Sequence, residues 1–229
     1  MMPFFFYDPT FLLLLPAFAL TLWAQHRVKS TFAAANRIPS AAGLRGAEAA
    51  RKLLDDSGLN HVTLEAAKGR LTDHYDPRTK TLRLSAEIAG SRSVAALGIA
   101  AHEVGHAIQH ARAYTPFQIR QSIVPVAQFG SSLAFPLFII GFLFTAPSLM
   151  DIGIFLFLGA VAFQLITLPV EYNASSRALA LLQNRGYLVE AETGQARKVL
   201  QAAALTYVAA LAVSLVHLLR LFFLRGMRN

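Results

Sequence analysis

Four blocks of this chain, residues 3–24, 123–147, 151–168 and 202–223, run almost without charge. A backbone in hydrocarbon has no water to bond and must pair its own N–H and C=O groups, so blocks of about 20 apolar residues fold as membrane-crossing helices. Hydrophobic residues make up 55% of the 229, and they are gathered into these blocks instead of being spread along the chain. The expected fold class is mainly α and integral to the membrane. About four transmembrane helices accompany a small cytoplasmic α+β part, and residues 1–229 form a single domain.

The formal charge of +8 does not point to nucleic acid, because no aromatic-basic interleaving or recognition motif accompanies it. Arg27, Lys29, Arg37 and Arg45 instead follow the first apolar block, whereas Asp8 and no basic residue lies near its start. The positive-inside bias therefore places residues 25–121 in the cytoplasm. Two further crossings return residues 169–198 to the same side, where Arg177, Arg185, Arg197 and Lys198 agree with that orientation. A fourth crossing sends Arg225 and Arg228 to the far side, against the bias. No basic residue precedes the first block, which also exceeds a signal-peptide core, so it reads as a retained span. The chain is expected in the plasma (inner) membrane, with its lipid bilayer as one partner.

Between the first two blocks, residues 46–59 read as an amphipathic helix with Ala47, Ala50, Leu53 and Leu54 on one side and Gly58 as its stop. Strands are expected at 61–64 and 81–84, with Asp76-Pro77-Arg78-Thr79 as turn chemistry before the second. Residues 91–112 read as one helix. Pro125 and Pro136 are candidate kinks in the second block, Asp151 is a candidate helix cap, and a new polar helix is expected from Pro169.

The helix at 91–112 contains His102-Glu103-Val104-Gly105-His106. Four positions of helix place both imidazoles on one face, about 6 Å apart along the axis, where one zinc ion can bridge them. Glu103 stands one step round, placed to take a proton from a water attacking a carbonyl. The flanking alanines and isoleucine make a charged group costly unless it serves a metal or a partner. With no cysteine in the chain, any metal must be held by imidazole and carboxylate.

A catalytic zinc takes three protein ligands and leaves one position open. His110 lies about 12 Å along the helix from His102 and joins only if the helix breaks; otherwise it is a hydrogen-bonded neighbour. Glu171, just after the third block in Leu168-Pro169-Val170-Glu171-Tyr172-Asn173-Ala174-Ser175-Ser176-Arg177, fits the arrangement of two His and one Glu. The competing reading pairs Glu171 with Arg177 or makes it a cap of its own helix.

Four stretches, residues 71–77 (Leu-Thr-Asp-His-Tyr-Asp-Pro), 100–110, 168–177 and 203–210, resemble the YugP-type membrane zinc metallopeptidases. The more distant HtpX-type membrane proteases are similar in placing a transmembrane hairpin between HExxH and the ligand Glu. The resemblance implies a zincin-like, gluzincin-type site with Zn2+ as cofactor, peptide-bond hydrolysis as activity and polypeptides as substrates. In the HtpX-type pattern an Ala-Asp pair follows the Glu, and the Asp steadies a zinc-bound His. Here Ala174 is followed by Ser175, leaving Ser175, Asn173 or Ser176 as substitutes.

Other polar residues carry two readings each. His74 is an oxyanion donor, part of a substrate-binding edge strand or a second metal ligand, or else a structural turn residue. Tyr207 and Arg177 steady an oxyanion, or serve as a core aromatic and an ion-pair partner. His26 and His217 read as interfacial or packing residues. The expected activity is that of a zinc endopeptidase acting on membrane-associated or unfolded proteins. Its rivals are a non-catalytic membrane protein with a structural or sensory zinc, and a metal transporter. The absence of His and Glu from the second and third blocks argues against the transporter.

Overall fold

The structure, a computed structural model, describes residues 9–227. It is mainly helical, with a small sheet and four helices long and apolar enough to cross a membrane. The elements are α1 (Leu14–Asn36, after a 3-10 turn at Pro9–Leu13), α2 (Gly46–Asp56), β1 (Thr63–Ala67), β2 (His74–Asp76), β3 (Thr81–Ser85), α3 (Ala86–Gly90), α4 (Val94–Ala111), α5 (Thr115–Leu143), α6 (Pro147–Asn184) and α7 (Glu190–Gly226). Contacts divide the chain into two compact units, one comprising 26–118 with 169–205 and the other drawn from the remaining segments.

The apolar unit is built on α5 and the first part of α6, with α7 packed beside them. Ala134, Phe138, Met150, Ile154, Phe157, Val161, Leu218 and Leu221 are its buried cluster. Phe129, Phe144 and Phe155 instead point outward, as side chains do when the surrounding solvent is lipid. Gly153 sets the spacing of α5 and α6: a Cβ there would lie 2.7 Å from the Ala134 carbonyl oxygen. His217 packs edge-on against Phe135 and Phe157.

Several boundaries differ from the sequence expectations. The first helix runs on to Asn36 instead of ending near residue 24, while the expected start at residues 3–8 lies outside the described residues, as does Arg228. Asp151 is no cap, because α6 already begins at Pro147; its carboxylate takes Arg225 at 2.8 and 3.2 Å. Pro169 starts no helix either. It lies inside α6, which continues from the third apolar block to Asn184. The missing N–H costs one hydrogen bond, and the buried face of Val170, Ala174, Ala178 and Leu182 that follows keeps the helix intact. Pro125 and Pro136 likewise lie inside α5.

In the other unit α2 packs on α4, and Leu53, Leu54, Val62, Leu82, Leu84, Ile88 and Leu97 form the core. Glu48 accepts the Arg45 N–H at the start of α2, and Gly58, at φ +74°, ends the chain's helical path there. The sheet has order β1-β3-β2, with β1 parallel and β2 antiparallel to β3. The strand expected at 61–64 lies at Thr63–Ala67 and that at 81–84 at Thr81–Ser85; β2, only three residues long, was too short for alternation to announce it. The anticipated turn joins β2 to β3, with Asp76 accepting from the Arg78 N–H and the Thr79 hydroxyl, both at 2.9 Å. Helix α4 starts later than expected, because Ser93 caps it by accepting the Ala96 N–H at 3.1 Å.

Candidate metal centre

Helix α4 is lined with alanine, so its backbone can be approached closely from several sides; Ala100, Ala101, Val104 and Ala107 are all buried. Gly105 carries this furthest. A Cβ on it would stand 2.6 Å from the Ala174 carbonyl oxygen of α6, so only glycine lets the two helices meet there. The face of α6 that meets α4 carries Val170, Glu171, Ala174 and Ala178, all buried. One turn of α4 therefore faces one turn of α6, with two histidines on the first and a glutamate on the second.

The three donor atoms converge. His102 Nε2 lies 3.1 Å from His106 Nε2 and 3.2 Å from Glu171 Oε2, and His106 Nε2 lies 3.6 Å from that same oxygen. Tetrahedral zinc with bonds of about 2.0–2.1 Å holds its donors about 3.3–3.4 Å apart, and these three separations bracket that value. The donor set of two imidazoles and a carboxylate suits zinc in chemistry as well as in spacing. Among the described residues this is the one group of three or more His, Cys, Asp or Glu arranged to hold a metal ion.

Each imidazole is gripped from behind. Ser175 Oγ lies 3.1 Å from His102 Nδ1, so of the three candidate residues Ser175 is the one that backs this ring. His106 Nδ1 lies 3.0 Å from Gln109 Oε1. Sequence reasoning missed Gln109, although one signal was there: an amide three residues beyond His106, on a helix that is apolar apart from its histidines and Glu103. It is 0% exposed. Its Nε2 donates to the Val170 carbonyl at 2.8 Å and to Asn173 Oδ1 at 3.0 Å, and Arg177 Nε donates to the same Asn173 oxygen at 2.7 Å. Arg177 is thus joined to Asn173 and not, as one reading had it, to Glu171.

Glu103 is buried beside this cluster. Burial pushes its carboxyl up to about 7, His102 opposes the rise, the Glu171 and Asp73 carboxylates add to it, and a hydrogen bond from the Tyr75 N–H opposes it. A nearby dication would favour the ionised form. His110 stays outside the cluster, on an unbroken helix, with its Nδ1 2.9 Å from the Tyr75 hydroxyl. His74 is exposed on β2, its Nδ1 2.8 Å from the Thr72 carbonyl oxygen, and among the described residues it belongs to no group arranged to hold a metal ion. Tyr207 is half-buried on α7, in the other compact unit.

The chain is similar to known proteins over most of its length. A family model described as "Putative neutral zinc metallopeptidase" matches residues 10–226. A Bacillus subtilis (strain 168) protein named "Putative membrane protease YugP" is 47% identical over 216 residues, which cover 93% of this chain and 96% of that one. No solved structure matches the chain.

Proposed function

The chain belongs to the neutral zinc metallopeptidase family, and we propose that it is a membrane endopeptidase hydrolysing peptide bonds of membrane-associated or unfolded proteins. The observation that carries this reading is the convergence of His102, His106 and Glu171 donors at 3.1–3.6 Å with Glu103 beside them.

His102, His106 and Glu171 would hold the zinc. When bound there, it supplies Lewis acidity toward water and toward the scissile carbonyl. Glu103 in its ionised form takes the proton of the attacking water and returns it to the departing amine, so that the carboxyl ends as it began. Its burial keeps bulk water from competing for that proton. Ser175 and Gln109 hold the imidazoles in place throughout.

A purely structural zinc would more typically be closed by four protein ligands and would have no use for Glu103. The group among the described residues numbers three. The site is proposed to face the cytoplasm from the plasma membrane. Arg27, Lys29, Arg37 and Arg45 after the first span, and Arg177, Arg185, Arg197 and Lys198 after the third, support that side.

The test is cleavage of an unfolded polypeptide by the purified, zinc-loaded protein in detergent, with Glu103→Gln as control. Cleavage by the native chain and none by the variant is the expected result, and equal inertness of the two across membrane and unfolded substrates would sink the reading. Proteomics of cells carrying either form then identifies the polypeptides that accumulate only with Glu103→Gln.

A further inference from the structure

Gln109 has a place in the centre that neither the family match nor the HExxH pattern assigns. We infer that Gln109 is a positioning residue that fixes the proton of His106 on Nδ1, and that it does so as an amide in a way a carboxylate cannot reproduce. The inference rests on the reading of His106 as a zinc ligand.

Behind His106 runs a hydrogen-bond chain whose members have one role each. A guanidinium can only donate, so the Asn173 atom 2.7 Å from Arg177 Nε is the carbonyl oxygen. That same oxygen faces Gln109 at 3.0 Å, and the Val170 carbonyl oxygen faces it at 2.8 Å. Both are acceptors, so the Gln109 atom between them is the NH2 group, and both of its protons are used. Its oxygen then points at His106 Nδ1, 3.0 Å away, and can only accept. Nδ1 therefore carries the proton. In the neutral ring Nε2, the atom facing His102 and Glu171, is left with its lone pair, the form a metal needs.

His102 is held differently. The Ser175 hydroxyl can donate or accept, so it steadies the ring without dictating where the proton lies. One ligand is locked and the other is free to exchange.

A carboxylate often backs a metal-bound histidine. At position 109 it would fail, because it has no N–H to offer the Val170 and Asn173 oxygens, and two buried acceptor pairs would be pressed together. The neutral amide also draws the Nδ1 proton less strongly than a carboxylate, leaving His106 a less basic ligand.

The test uses the full chain in detergent, with zinc as the probe. In metal-free wild type, nitrogen-15 histidine spectra are expected to show His106 as the Nδ1–H tautomer. Zinc affinity, read by competition with a chelator, is expected to fall about 10- to 100-fold in Gln109→Met. It should fall at least as far in Gln109→Glu. Asn173→Asp, which still accepts from both neighbours, should stay closer to wild type than either. An Nε2–H tautomer for His106, or Gln109→Glu binding zinc as tightly as wild type, overturns the inference. Failure of the wild type to bind stoichiometric zinc would instead overturn the zinc-site reading, while the tautomer in the metal-free protein would still decide the role of Gln109.

Discussion

On α4 the two histidines stand one turn apart, their spacing guaranteed by the helix itself, and Glu103, the proposed proton carrier, lies between them. On α6 the single candidate ligand, Glu171, depends on how that helix is placed. The same stretch also supplies Ser175 behind His102, together with the Val170 carbonyl and Asn173, which anchor Gln109 behind His106. So α4 carries most of the reactive groups, while α6 decides whether they are held. The point of contact is Gly105, where the helices come within a distance that no side chain would permit. The difference teaches that a local motif supplies the donors, and that their usefulness rests on the register of a helix 69 residues away.

Removing a ligand from either half should have the largest effect. His106→Ala and Glu171→Ala are each expected to abolish stoichiometric zinc and all proteolysis, measured by metal analysis and cleavage. Zinc retained by Glu171→Ala would break the claim that α6 completes the centre. Glu103→Gln separates the two tasks: zinc should stay, while turnover falls by about 10²–10⁴-fold. Next comes the contact itself. Gly105→Ala forces apart two backbones, which should cost about 1–3 kcal/mol, visible as a lower melting temperature together with weaker zinc binding. A Gly105→Ala protein with unchanged melting and metal affinity would show that the close approach is dispensable. Ser175→Ala is expected to weaken zinc about 10-fold, with Ser175→Asp recovering most of it.

The smallest effect concerns the far end of α4. Burial, helped by Lys80, holds His110 below its ordinary 6.5, so the unfolded chain binds that proton more readily than the folded one. The stability it contributes is complete above pH 6.5 and is lost as pH falls from there through the folded value. His110→Gln should flatten that decline in a melting-temperature profile and leave zinc affinity alone, since His110 lies outside the ligand group.

Much of this molecule was legible as a string. The apolar blocks announced the membrane helices because a bilayer imposes length and composition directly. The pair His102 and His106 followed from helix geometry, and Glu171 was reached from the need for a third ligand. Other features were hidden, each for a physical reason. Pro169 looked like a helix start because the cost of its missing N–H is local, whereas the buried face that offsets it is not. Asp151 looked like a cap until Arg225, 74 residues on, claimed its carboxylate. β2 was too short to show a period and exists because β3 lies beside it.

What the sequence determined by itself is therefore the membrane class and the identity of the groups that can bind metal, since both follow from composition and from a helix's own repeat. Which residues stand behind those groups was decided only by tertiary structure. Ser175 was one of three candidates and Gln109 was none. Both were selected by the approach of α6 at Gly105, a contact that depends on the absence of one methyl group and on the packing of everything around it.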